Sequence, residues 1–161
     1  MMVGVGDPDA MEAVGEVIGS MLKAGDAVCL TGRLGAGKTT LVRGVARGMG
    51  VQGVVASPTF VLSRRYAGAV PLVHCDAYRL GPDDDFADVV SDPEDVVVVV
   101  EWGDPVMPAF ADSWLSVDIE RPSGTGGEDR RLMLRGVGAE WDDGRVAELL
   151  ERLASVRGTR G

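Results

Sequence analysis

The sequence has very few of the residues that build disulfide frameworks and zinc sites. It contains two cysteines, Cys29 and Cys75, and a single histidine, His74. This set is too small for a disulfide framework or for a zinc site with four Cys and His ligands. Both cysteines fall in apolar, strand-like segments, and this position indicates buried structural thiols.

Positive charge is scarce as well, because 25 Asp and Glu residues outnumber 16 Lys and Arg residues and the formal net charge is −9. Proteins that hold nucleic acid bind the phosphate backbone through clustered Lys and Arg. The composition therefore argues against a protein that binds RNA by itself, and any role with RNA would be indirect. Only two basic residues are lysines, Lys23 and Lys38, so the place of Lys38 in a motif is informative.

Long apolar runs are also missing. The longest one, Val96–Val100, has the length of a strand and is far from the roughly 18 residues that a membrane span needs. The N-terminus lacks the charged segment followed by an apolar one that marks a secretory signal. We therefore expect a cytoplasmic protein without membrane contact, with one domain over residues 1–154 and a disordered tail at 155–161.

The order of the periodic segments predicts an α/β fold. A helix is expected to begin at Pro8, with Asp7 as its N-cap, and to end at Gly25. Strands then alternate with helices, and the last two strands, at 113–120 and 130–137, are expected to be antiparallel. The pattern predicts a single three-layer domain with a mixed, mostly parallel central sheet flanked by helices.

The stretch GRLGAGKTT at residues 32–40 matches the phosphate-binding pattern G-x4-G-K-[ST] between a predicted strand and a predicted helix. Glycines let the backbone curl so that successive N–H groups face a phosphate, and the helix N-terminus adds its dipole. Lys38 is expected to reach the β- and γ-phosphate oxygens, and the Thr39 hydroxyl to ligate Mg²⁺. The other loop residues of the predicted nucleotide site are Leu34, Gly35, Ala36, Gly37 and Thr40.

A P-loop enzyme also needs acidic groups that hold the metal ion and orient the attacking water. Glu101 follows five valines, as the acid of a Walker B strand does, and Asp76 ends another predicted strand on the same face as His74. Lys38, Asp76 and Glu101 form the expected catalytic set, and the residues alone leave open which acid binds the metal. Thr59 is a candidate sensor of the γ-phosphate, with a surface threonine as the alternative.

Four stretches, GRLGAGKTTLVRG, SPTFVL, HCDAYRL and EWGD, occur in this order and together resemble the TsaE family. That family comprises the small P-loop ATPases of bacterial tRNA threonylcarbamoyladenosine biosynthesis. The resemblance implies a P-loop NTPase domain that binds and hydrolyses ATP with Mg²⁺. It further implies that the chain acts on the complex of TsaD and TsaB and reaches tRNA only through these partners.

The same resemblance implies roles for individual residues. Thr39 and Glu101 would hold Mg²⁺, and Asp76 would serve hydrolysis. Trp102, which follows Glu101 as it does in the family, would support the site or the partner surface. The residues expected beside the adenine are Pro8 and Gly127.

The residues leave two other functions open. A small-molecule kinase needs an acceptor pocket and usually an arginine-bearing lid, whereas the arginines here are scattered and no insertion has the length of a lid. A nucleotide sensor would bind without turnover and needs no second acid to position water. Asp76 and Glu101 together argue against a pure sensor.

Overall fold

The strands and helices follow the predicted alternation. The computed structural model describes residues 2–33, 35–56, 63–77, 89–102, 106–122 and 129–158. Its strands are β1 (Met2–Val5), β2 (Ala27–Gly32), β3 (Ser63–Tyr66), β4 (Leu72–Asp76), β5 (Val97–Glu101), β6 (Trp114–Glu120) and β7 (Arg130–Val137). Its helices are α1 (Pro8–Met21), α2 (Lys38–Met49), α3 (Met107–Phe110) and α4 (Asp143–Gly158), with a 3-10 turn at Ala139–Trp141.

Within the described residues, the strands form one seven-stranded sheet in the order β1-β7-β6-β2-β5-β4-β3. The central strands β6, β2, β5 and β4 are parallel to their neighbours in this group. Strand β7 runs antiparallel to β6 and to β1, and β3 runs antiparallel to β4. The mixed, mostly parallel sheet and the antiparallel pair of late strands are thus confirmed. Because β2, β4, β5 and β6 are parallel, their carboxyl ends meet at one edge, where ligands bind in open α/β sheets.

The two faces of the sheet are covered by different elements. Helices α1, α2 and α4 pack their apolar residues on one face, and this side holds the larger buried cluster. On the other face, Met107 of α3 and Val90 pack against β2, β4 and β5, which makes the third layer. Cys29 and Cys75 lie in this second cluster, and burial raises the pKa of the Cys75 thiol to about 12. The prediction of buried structural thiols is confirmed.

Helix α1 begins as predicted and ends earlier than predicted. The Asp7 carboxylate accepts a hydrogen bond from the Ala10 N–H at 2.7 Å, and Pro8 is the first helical residue. The helix ends at Met21, because the backbone of Leu22 is already extended, so the predicted end at Gly25 is wrong. Gly25 instead lies in the turn before β2, with a φ of 93°.

Two further elements extend beyond the sequence-based expectation. Strand β1 is not predicted from the sequence, because its four residues are too few to show a clear alternation of apolar and polar side chains. In the structure these residues alternate between exposed and buried. Helix α4 continues to Gly158, so residues 155–158 of the expected tail belong to a helix. No glycine or proline interrupts the chain between Gly144 and that end, and helix formation continues until Gly158. Residues 159–161 lie outside the described part.

Helices α1 and α2 touch backbone to backbone because glycines line their contact. A Cβ atom at Gly44 would stand 2.1 Å from the Glu12 carbonyl oxygen, and one at Gly15 would stand 2.2 Å from the Leu41 carbonyl oxygen. The other two glycines in this contact are Gly19 and Gly48. Strands β1 and β2 run in the same direction, and each is followed by one of these helices. Both helices therefore start at the edge of the sheet that carries the P-loop.

Helix α4 is fixed to the opposite edge by a buried ion pair. The guanidinium of Arg145 donates to the two carboxylate oxygens of Asp26 at 3.0 and 2.6 Å. Asp26 is only 5% exposed, and the guanidinium also stacks on the Trp141 ring at 3.7 Å. Asp26 immediately precedes β2, whereas the P-loop follows β2. The ion pair therefore lies at the edge of the sheet opposite the P-loop. Among the described residues, no helix has the length and apolarity to cross a membrane.

Candidate nucleotide-binding and catalytic site

The loop between β2 and α2 carries glycines where the backbone requires them. Gly35 and Gly37 have φ values of 79° and 110°, in the left-handed region that L side chains rarely adopt. The Ala36 N–H donates to the Arg33 carbonyl at 2.9 Å and closes a turn within the loop. Gly37 is the N-cap of α2, and its carbonyl accepts the first helical bond from Leu41. The predicted strand, loop and helix are therefore present, and the positive end of the α2 dipole points at the loop.

The side chain of Lys38 folds back over this loop. Its Nζ donates to the carbonyl oxygen of Gly32 and to that of Arg33 at 3.3 Å. The same ammonium lies 4.5 Å from the centre of the Trp102 ring, in the geometry of a cation–π contact. The ammonium of Lys38, which is expected to bind the phosphates, thus lies between the backbone oxygens at the start of the loop and the ring of Trp102.

Asp76 and Glu101 come together because they end neighbouring parallel strands. The strand register pairs Asp76 with Glu101, and Glu101 with Leu30 at the end of β2. Burial lowers the pKa of the Lys38 ammonium, and the carboxylates of Glu101 and Asp76 oppose this shift. The structure therefore places all three expected catalytic residues at one edge of the sheet. Their roles toward metal and water remain a prediction.

His74 lies behind the carboxylates and is fully buried. Its Nε2 atom is 3.5 Å from Oε2 of Glu101, which itself is only 4% exposed. Neither ring nitrogen of His74 makes a hydrogen bond in the part of the chain described. The histidine thus faces the carboxylate of Glu101 from the interior of the sheet, on the same strand face as Asp76, as its spacing predicts.

Trp102 turns the chain sharply after β5. Its φ of 60° is positive, which is uncommon for a large side chain and costs on the order of 1–3 kcal/mol. Its N–H donates to the Leu30 carbonyl at 2.8 Å, and this bond holds the turn against β2. The residue is 37% exposed, and its ring lies over the Lys38 ammonium. Trp102 therefore belongs to the site by contact as well as by sequence position.

Comparison with known families agrees with this geometry. The family model of TsaE, described as threonylcarbamoyl adenosine biosynthesis protein TsaE, matches residues 5–132. The chain belongs to the TsaE family. The resemblance of the four sequence stretches is thereby confirmed, and the matched range contains β2, the P-loop, both carboxylates and the start of β7.

Individual relatives extend the match over most of the chain. The tRNA threonylcarbamoyladenosine biosynthesis protein TsaE of Streptomyces coelicolor is 42% identical over 146 residues, covering 86% of this chain and 99% of that protein. The protein of the same name from Bacillus subtilis is 32% identical over 140 residues, covering 84% and 85%. The crystal structure of Bacillus subtilis YdiB has a TM-score of 0.74 at 26% identity, covering 98% of this chain and 95% of that one. These similarities confirm the α/β fold of the family.

The remaining predicted site residues are placed as follows. Thr39 and Thr40 lie in the first turn of α2, half-buried, directly after Lys38. Pro8 starts α1, and a Cβ at Gly37 would be 3.2 Å from the Met11 side chain one turn further on. The start of α1 is therefore close to the P-loop, and a contact of Pro8 with a base stays a prediction. Three predicted residues lie outside the described part of the chain: Leu34, Thr59 and Gly127.

The available donors fit a magnesium ion. The Thr39 hydroxyl and the Glu101 carboxylate offer the hard oxygen ligands that Mg²⁺ prefers. Magnesium at phosphate sites takes one or two protein oxygens and completes its shell with phosphate and water. Within the described residues no group of three or more Cys, His, Asp or Glu side chains could hold a metal. Thr39 and Glu101 would then be the residues that hold the ion, with phosphate oxygens as its other partners.

One residue at the P-loop was missed by the sequence analysis. Arg130, the first residue of β7, donates from Nε to the Ala36 carbonyl at 3.1 Å and from Nη2 to the Gly35 carbonyl at 3.4 Å. In the sequence it is one of several scattered arginines, and no local pattern links it to a loop 94 residues earlier. Only the order of strands in the sheet brings it there.

Proposed function

We propose that this chain is a Mg²⁺-dependent ATPase that serves as an accessory protein in threonylcarbamoyladenosine modification of tRNA. One observation carries the ATPase part: Lys38, Asp76 and Glu101 meet at the P-loop edge of the sheet. Membership of the TsaE family supports the pathway part. A phosphate loop alone would fit a sensor equally well, whereas two acids beside the loop lysine are what hydrolysis requires.

In this proposal the loop and Lys38 hold the triphosphate. The backbone N–H groups of the curled loop and the α2 dipole attract the β-phosphate, and Lys38 swings from the carbonyls of Gly32 and Arg33 to the phosphate oxygens. Thr39 and Glu101 would hold Mg²⁺, and the ion would supply positive charge against the phosphates. Asp76, next to Glu101 in the register, orients the attacking water. Trp102 covers the lysine and limits the access of bulk water.

The partner in this proposal is the TsaD–TsaB complex. The formal net charge of −9 disfavours direct binding of tRNA, so contact with tRNA is made by the partners. ATP binding and hydrolysis would reset the complex between turnovers in the cytoplasm. Trp102, which is 37% exposed beside the site, passes the state of the nucleotide to the partner surface.

Phosphate release from ATP by the purified chain tests the proposed function. We expect slow release by the chain alone, a sharp rise when the TsaD–TsaB pair is added, and loss of both activities when Mg²⁺ is removed. Release that does not respond to the pair would contradict the accessory role and favour a kinase. ATP that is bound and never cleaved, with or without the pair, would identify a sensor instead.

Two isosteric substitutions test the assignment of the acids. Asp76→Asn is expected to keep ATP affinity within a few-fold and to lower phosphate release at least about 100-fold, because a positioned general base contributes roughly 10²–10⁴ in rate.

Glu101→Gln is expected to remove the dependence of ATP affinity on Mg²⁺. Calorimetry with and without Mg²⁺, together with phosphate release, measures both effects. If Asp76→Asn abolishes the Mg²⁺ dependence and Glu101→Gln does not, the two roles are exchanged.

A further inference from the structure

The Arg130 guanidinium donates to two carbonyl groups of the P-loop and to the carbonyl of the residue before it in the chain. Its Nε and Nη2 atoms donate to the carbonyls of Ala36 and Gly35 at 3.1 and 3.4 Å. Its Nη1 atom donates to the carbonyl of Asp129 at 2.9 Å, which fixes the guanidinium relative to its own strand. The planar fork of arginine can serve all three carbonyls at once, whereas a lysine carries its donors on one nitrogen atom.

These bonds set the direction of the loop amides. In a trans peptide the C=O and N–H groups point to opposite sides of the chain. A guanidinium that holds the Ala36 carbonyl on the β7 side therefore turns the Gly37 N–H to the other side of the loop. The neighbouring Ala36 N–H is already used by the Arg33 carbonyl. Arg130 thus acts on the peptide group between Ala36 and Gly37, directly before α2 begins.

The loop needs an external constraint because of its glycines. Gly35 and Gly37 adopt left-handed φ values at little cost, and for the same reason they can leave them easily. Two bonds from a strand of the central sheet reduce this freedom before a phosphate arrives. Preorganised donors bind anions better than donors that must first be ordered. The positive charge of Arg130 behind the loop also favours a polyanion in a chain of net charge −9.

We propose that Arg130 is a positioning residue of the nucleotide site, which orients the P-loop amides toward the phosphates by holding the carbonyls of Gly35 and Ala36. The proposal rests on the proposed binding of ATP and deepens it. Arg130 acts through the loop, so its effect should be confined to the phosphate part of the nucleotide.

Calorimetry with ATP and with tripolyphosphate tests this role. We expect Arg130→Gln to weaken both ligands by at least tenfold and by similar factors, since tripolyphosphate has only the phosphate part. Arg130→Lys should recover part of the loss, because an ammonium can still bond one carbonyl. Arg131→Gln is the matched control: Arg131 is exposed, its side chain points to the opposite face of β7, and both affinities should stay within twofold.

The possible outcomes separate this inference from the proposed function. If the unmodified chain binds neither ATP nor tripolyphosphate, both proposals are overturned. If it binds both and Arg130→Gln binds them equally well, only the role of Arg130 is wrong. A loss for ATP without a loss for tripolyphosphate would likewise overturn it and assign Arg130 to the base or sugar. If Arg130→Gln does not fold, Arg130→Lys decides, with unchanged affinity for both ligands as the contradicting result.

Discussion

Replacing Lys38 by alanine is expected to weaken ATP binding at least about 100-fold. A charge-assisted hydrogen bond contributes roughly 1.5–3 kcal/mol, and this lysine should make two of them, to the β- and γ-phosphates. Since each 1.4 kcal/mol corresponds to a factor of about ten, the loss of both exceeds two orders of magnitude. Calorimetric titration of ATP into the variant measures the effect directly.

The chain provides its own control for this experiment. Lys23, its other lysine, is exposed and lies 3.7 Å from Glu140 in a surface ion pair. It precedes β2, whereas the P-loop follows β2, so the two lie at opposite edges of the sheet. Lys23→Ala removes the same charge and should leave ATP affinity within twofold, because such pairs contribute at most about 1 kcal/mol. ATP should also raise the melting temperature of the unmodified chain and of Lys23→Ala, and at the same ATP concentration it should raise that of Lys38→Ala much less. Equal affinities in all three proteins would remove Lys38 from the site.

The site residues that the sequence predicted are either neighbours in the chain or lie at the ends of parallel strands. Gly37 and Lys38 are neighbours, so a motif of nine residues is enough to place them at the start of the helix that follows β2. Asp76 and Glu101 are distant in sequence, yet both end strands, and parallel strands bring their ends to one edge. Once an α/β sheet is expected, their position at one edge follows without any knowledge of side-chain packing. Their direct pairing also requires β4 and β5 to be neighbours, which the structure shows.

The part that the sequence did not predict depends on register and on tertiary contacts. Arg130 reaches the Ala36 carbonyl because β7 starts at the edge where β2 ends, and strand order is not encoded in a local pattern. The positive φ of Trp102 and its contact with Lys38 require the turn after β5 to be known. The end of α1 was misplaced because Gly25 is a typical stop signal, whereas the chain leaves the helix at Leu22.

The glycines of α1 and α2 are another feature whose effect cannot be judged from the local sequence, because it depends on the contact between the two helices. Glycine in the interior of a helix disfavours it by about 1 kcal/mol relative to alanine, so Gly15, Gly19, Gly44 and Gly48 look like weak points when each helix is considered alone. The contact between the helices reverses this judgement. At each of these positions the missing side chain is the space that the backbone of the other helix occupies.

Gly44→Ala is therefore expected to destabilise the domain strongly. The new Cβ would stand 2.1 Å from the Glu12 carbonyl oxygen and 2.9 Å from its carbon, and both are backbone atoms of α1 that cannot rotate away. Overpacking typically costs 1–3 kcal/mol and more when backbone must move, so we expect a loss of about 3 kcal/mol or more. Against a domain stability of about 5–15 kcal/mol, this shift is readily measured by urea unfolding.

Gly144→Ala in α4 is the matched control, and the two substitutions should differ in sign. A Cβ at Gly144 would meet only the Asp142 carboxylate oxygen, at an ordinary distance of 3.4 Å. Alanine should therefore stabilise there by roughly 0.5 kcal/mol, through helix propensity and a less flexible unfolded chain. If Gly44→Ala also stabilised the domain, propensity would outweigh packing, and α1 and α2 could not be as close as their backbones indicate. Opposite signs would show that the helix carrying Lys38 is held in place by direct backbone contact with α1.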